Sequence, residues 1–226
     1  PPLPAGTYHA YGDVVQQTGF ERTLVASLAI ASDREPSKAG DGKPSADVDD
    51  AWYVGDASAN GAARLADGTT MSLTLNPASP PTVGDELTIR VSVTDAAGKP
   101  AVLQPYLGMP AHAVVVRLDG AVYVHLHPTG TITQAAQDAF LARDRGDTTA
   151  EGMLRLPTPE QHAMPMAAPT SMAASVSSVA SVSSVIEFPY AFPKSGSYRV
   201  LVQVRRNGRI LTGAFAVAVS DRAATR

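Results

Sequence analysis

The sequence HAVVVRLDGAVYVHLH, residues 112–127, predicts an antiparallel β-hairpin. Val-rich runs of strand-forming residues flank Asp119-Gly120, and such runs are typical of paired strands. Asp-Gly is a strong signal for a two-residue loop, because a type I′ turn needs positive φ at both central residues. A two-residue loop at this position would place His112 directly opposite His127.

Strand signals of the same kind recur between residues 69 and 220. In DELTIRVSVTD, residues 85–95, Leu87, Ile89, Val91 and Val93 alternate with polar residues, as in a strand with one buried face. Further strands are predicted within residues 69–77, 101–108, 184–192, 197–206 and 208–220. Seven or eight short antiparallel strands predict an all-β fold, with an immunoglobulin-like sandwich over residues 69–220.

One insertion, residues 129–185, interrupts the strands of this sandwich. Its first part has Ala135, Ala139 and Phe140 on one face and charged residues on the other, which predicts a short amphipathic helix of about three turns. Thr133 is the expected N-cap of this helix. The second part is a long loop of Met, Ala, Pro, Ser and Val, and a loop of this length more often has a function or is disordered than belongs to the core.

An internal repeat relates the two ends of the chain. Gly6 and Tyr8 match Gly196 and Tyr198, and a turn and a second alternating strand follow in both copies. We therefore interpret residues 1–32 as the closing hairpin of a truncated, related upstream sandwich domain. The alternative is that the two hairpins pair within one enlarged sandwich.

The segments outside these strands are polar. Residues 33–68 are rich in Gly, Pro and acidic residues and are predicted to be a linker, in which Trp52 and Tyr53 serve as an anchor. Residues 221–226 are a short tail.

The overall composition excludes several functional classes. A net charge of −3 argues against a nucleic-acid partner, because phosphate binding needs a basic surface. No apolar run reaches the length of a membrane span, and no signal peptide is recognisable, so no transmembrane segment is expected in this chain. The chain has no cysteine, which excludes disulfides, thiolate zinc sites and thiol nucleophiles.

Three histidines of the hairpin form a candidate metal site. In the predicted register, His112, His125 and His127 share one face, and directly opposed residues have Cβ atoms about 4.5–5.5 Å apart. Imidazole nitrogens at such positions can converge on one metal ion. The alternative is a polar strand edge that ends at Pro128, with no bound ion.

Methionines near these histidines suggest which metal would bind. Met109 lies three residues before His112, and Met164 and Met166 lie with His162 in the long loop. Thioether and imidazole ligands together favour copper, particularly Cu(I), over magnesium or calcium. Alternatively, Met109 fills a gap in the core, and the loop methionines only reflect its composition.

No catalytic motif is recognisable in the sequence. It contains no G-x-S-x-G nucleophile elbow, no P-loop and no dinucleotide-binding fingerprint. We therefore expect the protein not to be an enzyme.

The chain resembles a group of bacterial exported or membrane-anchored β-sandwich proteins with a Leu-Gly-Met-x-x-His…His-x-His-Pro signature and a closing Phe-Pro-x-x-Gly-x-Tyr hairpin. The signature falls on Leu107, Gly108, Met109, His112, His125, His127 and Pro128, and the closing motif on Phe192, Pro193, Gly196 and Tyr198. The resemblance covers about residues 69–220.

This resemblance implies a periplasmic protein, or one at the extracellular face of a membrane, that handles copper or another heavy metal. The expected cofactor is therefore a copper ion, and the expected partner is a metal-donor protein or a membrane complex. The alternative function is a structural or docking accessory subunit of such a complex, without a metal.

Overall fold

The described residues form an all-β fold with antiparallel sheets and one short helix, as the sequence predicts. The computed structural model describes residues 5–16, 18, 20–31, 56–107, 109–150, 153–155 and 182–222. By their contacts, the residues divide into two units. The larger one is a sandwich of two four-stranded sheets, and the smaller one contains a β-hairpin and the helix.

The first sheet of the sandwich contains the histidine hairpin at one edge. Its strands are β6 (His112–Arg117), β7 (Tyr123–Leu126), β9 (Gly196–Arg206) and β10 (Arg209–Val219), in the order β10-β9-β6-β7. The strands of the second sheet are β3 (Ala62–Arg64), β4 (Thr70–Asn76), β5 (Leu87–Thr94) and β8 (Val185–Tyr190), in the order β3-β4-β5-β8.

The hydrophobic core lies between the two sheets and follows the period of two expected of strands. All four apolar residues that alternate along β5 in the sequence are buried, and so are their counterparts on β9. These β9 residues are Tyr198, Val200, Val202 and Val204. Since each strand buries one face here, its other side chains lie on the outer face of the sheet.

Close packing of the sheets explains one glycine in the middle of β10. A Cβ atom at Gly213 would lie 2.6 Å from Sδ of Met71, which belongs to the opposite sheet and is fully buried. A side chain at this position would therefore displace the methionine from the core.

The hairpin of β6 and β7 has the predicted register but a different loop. Asp119 does not have positive φ, and Arg117 pairs with Val122 across a four-residue loop, so the predicted two-residue type I′ turn is wrong. The Asp119 side chain accepts a hydrogen bond from the Ala121 N–H (3.0 Å) and stabilises this wider loop. Both loops are centred on the same peptide bond, so the strand pairing is unchanged.

The smaller unit contains β1 (Gly6–Val15), β2 (Glu21–Ile30) and the helix α1 (Gln134–Asp144). The hairpin predicted at the start of the chain is present as a two-stranded sheet, and it pairs with no other described strand. The helix has the predicted N-cap, since Oγ1 of Thr133 accepts a hydrogen bond from the Ala136 N–H. Within this unit, Phe20 packs edge-to-face against Phe140 with ring centroids 6.0 Å apart.

Two segments of the sandwich differ from what their sequence predicts. Residues 101–108 were predicted to form a strand, but the described ones make only isolated bridges, at Leu103, Gln104 and Tyr106. The short strand β3 lies within the segment for which a linker was predicted. Trp52 and Tyr53, the predicted anchor of that linker, lie outside the described residues. None of the described helices is long and apolar enough to cross a membrane.

Candidate metal centre

Three histidines meet on the outer face of the first sheet. Ala113, Val115 and Leu126 belong to the core, so their neighbours in the strands point away from it. His125 pairs with Val114, and continuing this register by one residue places His112 opposite His127. The predicted common face of the three histidines is therefore present.

The three imidazoles are in mutual contact. Their ring centroids are 5.4 Å apart for His112 and His125, 5.0 Å for His112 and His127, and 4.5 Å for His125 and His127. One nitrogen from each ring can be chosen so that all three lie within 4.8 Å of one another. No carboxylate of a described residue belongs to this group.

A backbone carbonyl sets the protonation of His112. Its Nε2 lies 3.0 Å from the carbonyl oxygen of Tyr106, which can only accept a hydrogen bond, so Nε2 carries the proton. In the neutral ring, Nδ1 of His112 then has its lone pair free to accept, and it lies 3.2 Å from Nε2 of His125. A hydrogen bond of this kind from the far ring nitrogen is the usual way in which a protein orients a metal-binding histidine.

The Tyr106 carbonyl is held in a tight turn. The backbone groups of Tyr106 and Met109 exchange two hydrogen bonds, of 2.8 and 3.0 Å, and Leu107 between them has a φ of +47°. Positive φ is uncommon for a non-glycine residue and is more often found at functional sites. The Tyr106 ring also packs edge-to-face against His112, with centroids 5.1 Å apart.

Burial keeps His112 in the neutral form that a metal requires. His112 and His127 are only 6% and 2% exposed, while His125 is half-buried. Burial, together with the positive charge that His127 and His125 would carry, lowers the pKa of His112 to about 4. At pH 7 its Nδ1 can therefore accept a metal without first losing a proton.

One of the nitrogen–nitrogen distances in the cluster is close to the distance expected at a tetrahedral metal ion. Two nitrogens that each lie about 2.0–2.1 Å from a tetrahedral metal are about 3.3 Å apart. The separation of 3.2 Å between Nδ1 of His112 and Nε2 of His125 is close to this value. The cluster therefore fits a bound metal, although the hydrogen bond between the two rings has to break when the ion enters.

Of the three methionines predicted as ligands, the structure describes only Met109. Met109 is 6% exposed, lies outside the main core cluster and is tied by its backbone to Tyr106, beside His112. Met164 and Met166, with His162, lie outside the described residues. Sequence reasoning missed Tyr106, because it acts through its carbonyl oxygen and no side-chain pattern marks such a contact.

Comparison with known proteins identifies a family but no activity. A family model described as Domain of unknown function (DUF8832) matches residues 63–221, which include the sandwich strands and all three histidines. No curated protein and no solved structure matches the chain.

Proposed function

The chain belongs to the family described as Domain of unknown function (DUF8832), and from its histidine cluster we propose that it binds a transition-metal ion. His112, His125 and His127 are the proposed ligands, each through one ring nitrogen. The protein holds or delivers the ion and does not catalyse a reaction on it.

One observation carries this proposal: three imidazole nitrogens, from two buried histidines and one partly buried one, lie within 4.8 Å of one another. Grouped histidines are costly to bury if they become charged, since like charges repel in a poorly solvated site. A shared metal ion explains why neutral imidazoles would be gathered at one point, because neutral imidazole is a common metal ligand.

Copper is the proposed metal. Imidazole suits several transition metals, and a thioether would shift the preference towards copper. Met109 is the described residue that could supply this thioether, because its backbone is bonded to the turn that orients His112. We place the protein in the periplasm or at the extracellular face of a membrane, where a metal-donor protein or a membrane complex would be its partner.

A competition titration tests the proposal. The purified protein is titrated with Cu(I) in the presence of a competing chelator, alongside His125→Ala, His127→Ala and the control His9→Ala. We expect submicromolar binding of one ion, lost in the first two variants and unchanged in the control. His9 is exposed on β1, where its Nδ1 lies 3.2 Å from Oγ of Ser27. It is not one of the proposed ligands, so His9→Ala makes the same chemical change outside the proposed site.

A second candidate function is a docking accessory subunit without a metal. It is favoured by the apolar side chains on one face of β1 and β2: Val14, Leu24 and Leu28 are 44%, 57% and 52% exposed. Exposed apolar groups that share one face are common in protein interfaces. Failure of the parent protein to bind Cu(I) or Zn(II) in the same titration would leave this function in place of the first.

A further inference from the structure

The histidine cluster supplies no negative charge to a bound ion. The described group that can hold a metal contains three histidines and no carboxylate, and all three ligands would be neutral. A metal ion bound there would keep its full positive charge beside two buried histidines and one partly buried one, which is unfavourable without a compensating anion. The three histidines occupy three coordination positions, so a fourth is open to an anion where Met109 does not fill it.

Gln203 lies beside His112 on the same face of the sheet. It is directly opposite His112 in the pairing of β6 with β9, so the two side chains share the outer face of the sheet. Opposed residues have Cβ atoms about 4.5–5.5 Å apart, within reach of a glutamine side chain. Gln203 is half-buried, and its amide group makes no hydrogen bond within the part of the chain that the structure describes.

A positively charged residue follows Gln203 on the same face of β9. Arg205 lies two residues further along β9, and its guanidinium makes no ion pair with any described residue. Its Nε is buried without a hydrogen-bond partner among these residues. A cation that no carboxylate neutralises attracts small anions to the surface around it.

We propose that the metal ion at His112, His125 and His127 binds a small exogenous anion, and that the side-chain amide of Gln203 donates a hydrogen bond to this anion. This inference rests on the proposed metal site. The anion completes the coordination of the ion and offsets its charge, and Arg205 favours its approach. Gln203 is a positioning residue for the anion and not a metal ligand.

Azide binding to the Cu(II)-loaded protein tests this inference. Azide is a monovalent anion whose charge-transfer band on copper reports its coordination directly. We expect the parent protein to develop this band at saturable azide concentrations. Gln203→Leu should bind Cu(II) as the parent does but azide at least tenfold more weakly, because it lacks the amide donor.

Two further variants make the test decisive. Thr212→Val is the matched control, since Thr212 lies opposite Gln203 on β10, one strand further from the histidines, and should leave azide affinity within twofold. Gln203→Ala repeats the loss of the donor with a small side chain that cannot bind copper, in case the leucine variant folds poorly.

The outcomes separate the two proposals. If the parent binds copper but gives no azide band, or if both Gln203 variants bind azide as tightly as the parent, the anion site is overturned and the metal site stands. Tighter azide binding by both variants would also overturn it, since Gln203 would then be a ligand that competes with azide. If the parent binds neither Cu(I) nor Cu(II), both proposals fail, and if it binds Cu(I) but not Cu(II), only the anion site is overturned.

Discussion

At the scale of single residues, the chemistry of the site depends most on His112. Its Nε2–H is taken up by the Tyr106 carbonyl, and its Nδ1 is directed towards His125. Because the ring is buried among two other imidazoles, its charged form is disfavoured. The pKa of His112 is therefore lowered from 6.5 to about 4.

This lowered pKa predicts how the stability of the metal-free protein depends on pH. In the unfolded chain His112 takes up its proton near pH 6.5, whereas in the folded protein it does so only near pH 4. The stability that neutral His112 contributes is thus fully present above pH 6.5 and is lost as the pH falls towards 4. The free energy of unfolding falls by up to about 3 kcal/mol over this range.

Urea unfolding at several pH values, in the presence of a chelator, measures this effect. His112→Gln is the comparison, because its amide can still donate to the Tyr106 carbonyl but does not titrate. The difference in free energy of unfolding between parent and variant should shrink from pH 6.5 to pH 4. A difference independent of pH would mean that burial does not hold the ring neutral.

The site could be predicted at this scale only in part. The positions of His112, His125 and His127 followed from strand pairing, because a period of two fixes which side chains share a face. The role of the Tyr106 carbonyl did not, since it depends on a turn with positive φ at Leu107, which leucine rarely adopts. Gln203 became visible only when β9 was paired with β6.

At the scale of elements, the two hairpin turns show which sequence signals are sufficient to predict the type of turn. Asn207-Gly208, between β9 and β10, has positive φ at both residues, as a type I′ turn requires. Asp119-Gly120 has a similar signal but forms a wider loop, because the Asp119 carboxylate bonds the Ala121 N–H. The histidine register nevertheless remained correct, since it depends on the centre of the loop and not on its type.

Short or irregular elements were the hardest to predict. The three residues of β3 are too few for an alternating pattern to appear. Residues 101–108 are apolar enough for a strand, but Pro105 has no N–H to donate and the following turn reverses the chain at Tyr106. In both cases the backbone hydrogen bonds, and not the side-chain pattern, decide the structure.

An ion pair joins the two sheets of the sandwich and gives a prediction at this scale. Asp67, in the turn between β3 and β4, lies 2.7 Å from Nη1 of Arg206 on β9, and the two side chains are 15% and 23% exposed. Burial by itself would raise the pKa of Asp67, but hydrogen bonds from Thr69 and Arg206 outweigh it and lower the pKa.

Asp67→Asn should therefore lower the free energy of unfolding by about 1–3 kcal/mol, because Arg206 would keep its charge without a partner. Chemical denaturation at pH 7 measures the change. Glu187→Gln is the control, because it breaks an exposed ion pair with Arg90. The Arg90 and Glu187 side chains are 52% and 56% exposed, so the loss of this pair should lower the free energy of unfolding by less than about 0.5 kcal/mol. Equal effects of the two variants would show that Asp67 does not join the sheets.

At the scale of the whole molecule, the fold and the proposed site are largely independent. The core between the two sheets contains none of the three histidines, which lie on the outer face of one sheet. Such a scaffold can hold a metal centre without using it to fold, unlike small domains whose core is their metal site. This separation explains why strand periodicity predicted the fold class, whereas the function required the geometry of a few side chains.

The proposed metal site is tested most directly by an anomalous-difference map from a crystal of the copper-loaded protein, recorded at the copper edge. We expect one strong peak about 2.0–2.1 Å from a ring nitrogen of each of His112, His125 and His127. We also expect Nδ1 to be the nitrogen that His112 contributes, with Nε2 still bonded to the Tyr106 carbonyl. A copper peak elsewhere, with Nδ1 of His112 still hydrogen-bonded to Nε2 of His125, would contradict the proposed site.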